Sequence, residues 1–169
     1  MDVYGLEPQT DAGEYFRNNV WYWRPLWSYC LKVGDAFLDP EVGHDNSGDS
    51  VSADQAMLLA EMLKAEIESG RTAEYKRNYD AHLASLPRSD CQYCEGTGIR
   101  SDGVGVNHGM PDRVLEHDLA IMLGRTTGWC NACNGEGKVD AFETNYPFDV
   151  NNVIEFAEFC AESGGFQIC

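Results

Sequence analysis

The chain has 169 residues, of which 43% are hydrophobic and 11% aromatic, a composition typical of a packed globular protein rather than a disordered one. Its 28 acidic and 12 basic residues give a formal net charge of −16. This charge argues against direct nucleic-acid binding, because such binding depends on Lys and Arg side chains at the phosphates. No apolar stretch approaches the ~20 residues of a membrane helix, so no membrane span is predicted.

Two helices are predicted in the first 40 residues. Thr10 is a candidate N-cap for a short helix that runs to Val20. Pro25 suits the first turn of a second helix, which Gly34 then ends. The segment Trp21–Trp27 contains three tryptophans, which we expect in the core, and an exposed patch that binds a partner is the alternative.

The next segment predicts a pair of helices. Residues 39–50 form a loop rich in oxygen donors, but they do not match the spacing of a calcium loop. Ser52 and Gln55 have the spacing of a capping box at the start of a helix that Gly70 terminates. Thr72 begins another helix after a very short link, which indicates an antiparallel helical hairpin.

The most informative motif occurs twice. The segments Cys91-Gln-Tyr-Cys94-Glu-Gly-Thr-Gly and Cys130-Asn-Ala-Cys133-Asn-Gly-Glu-Gly both read C-x-x-C-x-G-x-G. Two C-x-x-C pairs supply four thiolates for a tetrahedral metal site, and the glycines permit tight turns whose N–H groups point at the sulfurs. We therefore predict that Cys91, Cys94, Cys130 and Cys133 bind one structural Zn²⁺ ion. The alternative is a pair of disulfides or four unrelated thiols.

These two segments resemble the cysteine-rich zinc-finger domain of DnaJ-type co-chaperones, a family that repeats C-x-x-C-x-G-x-G four times and pairs the repeats into two zinc sites. The resemblance covers only residues 91–98 and 130–137. The chain has two repeats, a long spacer between them, and no His-Pro-Asp tripeptide of a J domain. The resemblance implies a zinc knuckle, which could lie on a surface that binds polypeptides, and it does not make this chain a chaperone.

The spacer between the repeats is predicted to contain its own helix. Residues 101–110 form a Gly-rich loop, and Pro111 can start a helix through Leu123. His108 and His117 lie in this spacer, and either could replace a cysteine as a metal ligand. Because four cysteines already complete a site, we expect both histidines to be exposed or capping residues.

A short strand over residues 139–142 and a helix from Asp149 through Ser163 are predicted after the second repeat, and a strand over 166–169 follows. The fold class that we expect is mainly α with a small β and zinc-knuckle module. It comprises a helical domain at 1–88, a zinc module at 89–140 with an inserted helix, and a segment at 141–169 whose helix packs back on the helical domain.

Three other cysteines stand apart from the motif. Cys30 and Cys160 fall on apolar helix faces, where we expect them in the core, and Cys169 is either an exposed thiol or part of a tail. Residues 1–5 lack the basic and apolar regions of a signal peptide. We therefore expect a cytoplasmic protein, whose reduced thiols are available to a metal ion.

The net negative charge is concentrated at the two ends of the chain. Residues 1–50 contain nine acidic and three basic residues, and residues 139–169 contain six acidic residues and no Lys or Arg. Such a surface either keeps the protein soluble or mimics nucleic acid, in which case it would block a basic groove on another protein as phage-type anti-defence inhibitors do. The sequence leaves both interpretations open.

An enzymatic activity is not expected. A catalytic zinc keeps an open coordination position, whereas four cysteines close the shell, and the chain has no H-E-x-x-H, nucleophile elbow or phosphate loop. We therefore predict a zinc-binding adaptor or regulatory protein, whose partner is another protein and could present a basic surface. The alternatives are the nucleic-acid mimic and a chaperone-like or redox-active thiol protein, because C-x-x-C is also a redox motif.

Overall fold

A computed structural model describes all residues, 1–169. The α-helices are α1 Asp11–Glu14, α2 Val20–Val33, α3 Ala53–Glu68, α4 Arg71–Ser85, α5 Gly103–Asn107, α6 His117–Leu123 and α7 Val150–Glu162, and a 3-10 helix spans Phe142–Asn145. The strands are β1 Asp2–Gly5, β2 Tyr15–Arg17, β3 Asp49–Val51, β4 Ser89–Asp90, β5 Lys138–Val139 and β6 Phe166–Ile168. None of the helices combines the length and apolar character needed to cross a membrane.

The chain divides into two compact units. The first, the helical unit, consists of Met1–Ala84 together with Asn145–Cys169, and the second, the cysteine unit, consists of Ser85–Thr144. The predominance of helix with a small β component, which the sequence predicted, is confirmed. The β component is larger than expected, because the helical unit also contains a sheet.

That sheet has four antiparallel strands in the order β2-β1-β6-β3. In its register Val3 lies opposite both Phe16 and Ile168, and Val51 lies opposite Phe166. All five side chains are buried, which is the period-two pattern of a sheet with one face on the core. Of these four strands the sequence predicted only β6, as a strand over 166–169.

Helices α3 and α7 pack against each other in the helical unit, and both begin where the sequence predicted. The Ser52 hydroxyl accepts a hydrogen bond from the Gln55 N–H, and the Gln55 side chain accepts one from the Ser52 N–H, which completes the capping box. Asp149 caps α7 by accepting a bond from the Asn151 N–H. Buried Leu59 and Leu63 of α3 belong to the same core as the apolar side of α7.

The tryptophan cluster is mostly core, as expected. Trp23 and Trp27 are buried and their rings stack with centroids 5.3 Å apart. Their indole N–H groups donate to the carbonyl oxygens of Gly43 (2.9 Å) and Val42 (2.6 Å), which fixes the following loop. Trp21 is exposed, and its ring does not belong to the buried core.

The predicted helix from Thr10 to Val20 is wrong. Helix α1 ends at Glu14, and the chain then extends as β2, because Phe16 is held opposite Val3 in the sheet. The Thr10 side chain makes no capping hydrogen bond. Here the pairing with a distant strand outweighs the local helix signal.

The second helix starts earlier than predicted. The Asn19 side-chain oxygen accepts hydrogen bonds from the N–H groups of Trp21 and Tyr22, so α2 begins at Val20. Pro25 therefore lies inside the helix rather than in its first turn. The predicted end of this helix at Gly34 is confirmed.

Candidate metal centre

The cysteine unit brings its two C-x-x-C-x-G-x-G segments together through a short antiparallel ladder. Strand β4 pairs with β5, with Ser89 opposite Val139 and Asp90 opposite Lys138. Immediately beyond this pair the Cys91 N–H donates to the Gly137 carbonyl over 2.8 Å. The ladder thus places the start of the first segment beside the end of the second, although the two are far apart in the sequence.

The four predicted cysteines converge on one point. Their Sγ atoms all lie within 4.8 Å of one another, and all four side chains are buried. The Cys91–Cys130 and Cys94–Cys133 Sγ pairs are 3.9 Å and 3.7 Å apart. A tetrahedral site with metal–sulfur bonds of about 2.3 Å requires sulfurs about 3.8 Å apart. The arrangement therefore fits a four-coordinate metal ion.

The same distances are those of unbonded thiols and not of the disulfide bonds considered as the alternative. A disulfide joins two sulfurs at about 2.05 Å, far shorter than any of these contacts. All seven cysteines of the chain are free thiols here. Cys30 and Cys160, which we expected in the core of the helical unit, are buried there, and burial raises the pKa of both thiols.

Each segment also directs one backbone N–H at a sulfur. The Gly98 N–H donates to the Cys94 Sγ over 3.3 Å, and the Gly137 N–H donates to the Cys133 Sγ over 3.2 Å. Hydrogen bonds of this kind orient thiolate ligands and stabilise their negative charge. The two repeats are therefore alike in conformation as well as in sequence.

Glycine is required at the last position of both repeats. Gly98 and Gly137 have φ values of 73° and 79°, where side chains other than hydrogen are strained. A Cβ on Gly98 would lie 2.1 Å from the Gly135 oxygen, and one on Gly137 would lie 2.2 Å from the Gly96 oxygen. Each repeat thus packs its last glycine against the first glycine of the other repeat.

Arg125 joins the two repeats, and the sequence analysis did not find it. Its Nη2 donates to the carbonyl oxygens of Gly98 (2.9 Å) and Gly135 (2.5 Å), one from each repeat. Arg125 therefore cross-links the backbone on both sides of the cysteine cluster. No spacing in the sequence could have identified it, because its partners are backbone atoms brought close only by the fold.

The thiols of this cluster do not ionise equally. Burial raises the pKa of the Cys133 thiol to about 12 and also raises that of Cys130. Burial acts in the same direction on Cys91, but hydrogen bonds to the backbone of Tyr93 and to Cys94 outweigh it and lower the pKa of Cys91. Without a cation Cys130 and Cys133 therefore retain their protons at neutral pH, and a bound metal ion would displace them.

The spacer between the repeats differs from its prediction. The helix expected from Pro111 through Leu123 begins only at His117, because the preceding backbone pairs with residues 126–128. Val114 forms a β-bridge with Thr127. Gly124 ends the helix as predicted, with a φ of 66°.

The two histidines of the spacer do not join the cysteine cluster. The group of side chains able to hold a metal ion contains only the four cysteines. His108 is the exposed C-cap of α5, a short helix within the predicted Gly-rich loop, and His117 is the exposed first residue of α6.

Comparisons with protein-family models, with curated proteins and with solved structures found no match to this chain. The chemistry of the cysteine unit therefore has to be argued from its own geometry. That geometry is a buried cluster of four sulfurs with the spacing of a tetrahedral metal site, oriented by two N–H···S hydrogen bonds and held by one arginine.

Proposed function

We propose that the cysteine unit is a structural zinc module, and that the chain works as a non-enzymatic adaptor or regulatory protein that binds another protein. The observation that carries the zinc site is the set of four buried Sγ atoms within 4.8 Å of one another. Four thiolates in tetrahedral geometry favour zinc or iron over magnesium or calcium, which prefer oxygen ligands. Zinc is favoured because the module resembles a zinc knuckle at both repeats.

The closed ligand shell supports a structural role for the metal. Catalytic zinc sites have three protein ligands and a fourth position for water or substrate, whereas four cysteines leave no such position. All four cysteine side chains are also at most 5% exposed, which leaves little surface on which a substrate could reach the metal. The metal would instead stabilise the cysteine unit. The apolar core around the cysteines is small, because a single partly buried side chain, Val139, packs against them.

The cations of the cysteine unit favour a protein partner over a nucleic acid. Each of its five Lys and Arg side chains already has a partner inside the unit, which reduces the positive charge that the unit offers to a phosphate. Arg88 pairs with Glu136 and Asp140, Lys138 with Asp90, Arg100 with Asp102, Arg113 with the Trp129 ring, and Arg125 with backbone carbonyls.

The zinc site is tested by elemental analysis and native mass spectrometry of the purified full chain. We expect one zinc ion per chain and no visible absorption, since zinc thiolates are colourless whereas iron thiolates are not. Cys91→Ser and Cys130→Ser should each lose the metal and lower the melting temperature. Cys169→Ser, which removes a half-buried thiol outside the cluster, is the matched control and should retain both.

The result also separates the alternatives. A chain that holds no metal, or whose four cysteines form disulfides when isolated under mild conditions, would contradict the zinc proposal and favour thiol redox chemistry. Full metal content in all the Cys→Ser variants would show that other residues bind the ion.

A further inference from the structure

Residues 113–128 of the cysteine unit form a closed loop that we call the helix-tipped hairpin. Its stem is a short antiparallel pairing, in which the Leu115 N–H donates to the Thr126 carbonyl and the Gly128 N–H donates to the Arg113 carbonyl, both over 2.9 Å. Helix α6 forms the tip. The Arg125 N–H donates back to the Ala120 carbonyl over 3.2 Å, which ties the tip to the stem.

The helix-tipped hairpin carries several strongly exposed apolar side chains. Val114, Ile121 and Met122 are 77%, 68% and 61% exposed, and they are three of the four most exposed large apolar side chains. Helix α6 reads His-Asp-Leu-Ala-Ile-Met-Leu, and none of its seven residues is buried. An amphipathic helix normally buries its apolar side against its own core, so this exposure is typical of a binding surface.

The hairpin is held by the metal-site backbone. Arg125, at the junction of tip and stem, donates to the Gly98 and Gly135 carbonyls of the two repeats. At the other side of the stem the Arg113 guanidinium lies 5.0 Å from the centre of the Trp129 ring, next to Cys130. A surface fixed in this way loses little conformational entropy on binding, which favours a specific partner.

The charges around the tip indicate the charge of that partner. Asp112, Glu116 and Asp118 are all exposed beside or within the hairpin. The two basic residues of the hairpin, Arg113 and Arg125, are already engaged by a ring and by carbonyls. An apolar tip with an acidic rim is complementary to an apolar segment flanked by Lys or Arg. A second copy of this chain is disfavoured, because each copy carries a net charge of −16.

We infer that the helix-tipped hairpin docks an amphipathic, positively charged segment of another protein, with Val114, Ile121 and Met122 as its apolar contacts. This inference rests on the proposed function, since the metal site holds the base of the hairpin. Binding of such a segment would be strengthened by low salt and lost when the metal is removed.

The test uses the zinc-loaded full chain and two fluorescein-labelled helical peptides that share one Leu face, one with Lys and one with Glu on the opposite face. Fluorescence anisotropy should detect binding of the Lys peptide only. Ile121→Asp should weaken that binding about tenfold or more. Met57→Asp adds the same charge at an exposed position of α3 in the helical unit, and it should leave binding unchanged.

The two Asp variants distinguish docking from general charge attraction. If the acidic chain merely attracted Lys peptides, the extra carboxylate of Ile121→Asp would maintain or strengthen binding, and that result would overturn the inference. Val114→Asp, in the stem rather than in α6, provides a second variant if Ile121→Asp melts the short helix. Both variants are first checked for bound zinc.

Failure of the inference and failure of the zinc proposal give different results. If the chain contains one zinc ion but binds neither peptide, the result supports the zinc site and rejects the docking surface. A chain without zinc rejects the proposed function itself. Self-association, or binding to phosphatidylcholine vesicles, that Ile121→Asp abolishes would assign the tip to a second copy or to lipid and would also overturn the inference.

Discussion

Replacing Gly137 with Ala is the sharpest test of the backbone geometry at the candidate metal site. The alanine would have to adopt a backbone φ of 79°, and its methyl carbon would lie 2.2 Å from the Gly96 oxygen. The left-handed backbone costs about 1 kcal/mol and the forced displacement about 2 kcal/mol more. Because this backbone also carries the N–H···S bond to Cys133, we expect zinc binding to weaken by about 3 kcal/mol, roughly 100-fold.

Gly124→Ala is the matched control for this change. Gly124 has a similar φ of 66° in the same unit, but a Cβ there meets nothing within 4 Å. The Gly124→Ala variant should therefore show only the cost of the left-handed backbone, about 1 kcal/mol. Competition with a chromophoric chelator measures zinc affinity in both variants, and thermal melting measures stability. Equal affinities in the two variants would refute the argument that the repeats pack glycine against glycine.

Three further predictions address other parts of the molecule. Arg125→Gln should speed zinc loss to a chelator about tenfold, because both repeats lose a common donor, whereas Arg113→Gln should not; equal rates would contradict the cross-link. Thiol titration of the zinc-loaded native protein should detect only the half-buried Cys169, and removal of zinc by a chelator should make the four ligand thiols reactive as well. Reaction of Cys30 or Cys160 before the protein unfolds would contradict their burial. Burial raises the pKa of Tyr29 and Tyr75, so the stability that these phenols contribute is complete below their ordinary pKa of 10.0 and is lost as pH rises beyond it. Circular dichroism should show alkaline unfolding that Tyr75→Phe reduces, and an unchanged profile would refute this assignment.

The sequence predicted those elements whose signals are local. Ser52 with Gln55, and Asp149, marked two helix starts because a capping side chain bonds to backbone within three residues of itself. The four cysteines were found for the same reason, since each repeat carries its ligands and its turn glycines within eight residues.

What the sequence did not predict depends on distant partners. Strands β1, β2 and β3 have three or four residues each and form through pairing between separate parts of the chain: β6, at the end of the chain, pairs with β1 and β3, and β1 pairs with β2. Helix α6 starts at His117 rather than at the predicted Pro111, because the backbone before His117 forms the stem of the helix-tipped hairpin. Arg125 was missed because it contacts carbonyl oxygens, which leave no trace in side-chain patterns.

The pairing of β4 with β5 has a consequence for folding of the helical unit. That unit is made of two stretches of chain, and the whole of Ser85–Thr144 separates them. Once Ser89 is held opposite Val139, the connection between the two stretches shrinks to the few residues on either side of the ladder, roughly a fivefold shorter loop. Loop-closure entropy then favours assembly of the helical unit by about 1.5 kcal/mol. A metal ion bound only by the cysteine unit would in this way ease the folding of a unit that supplies none of its ligands.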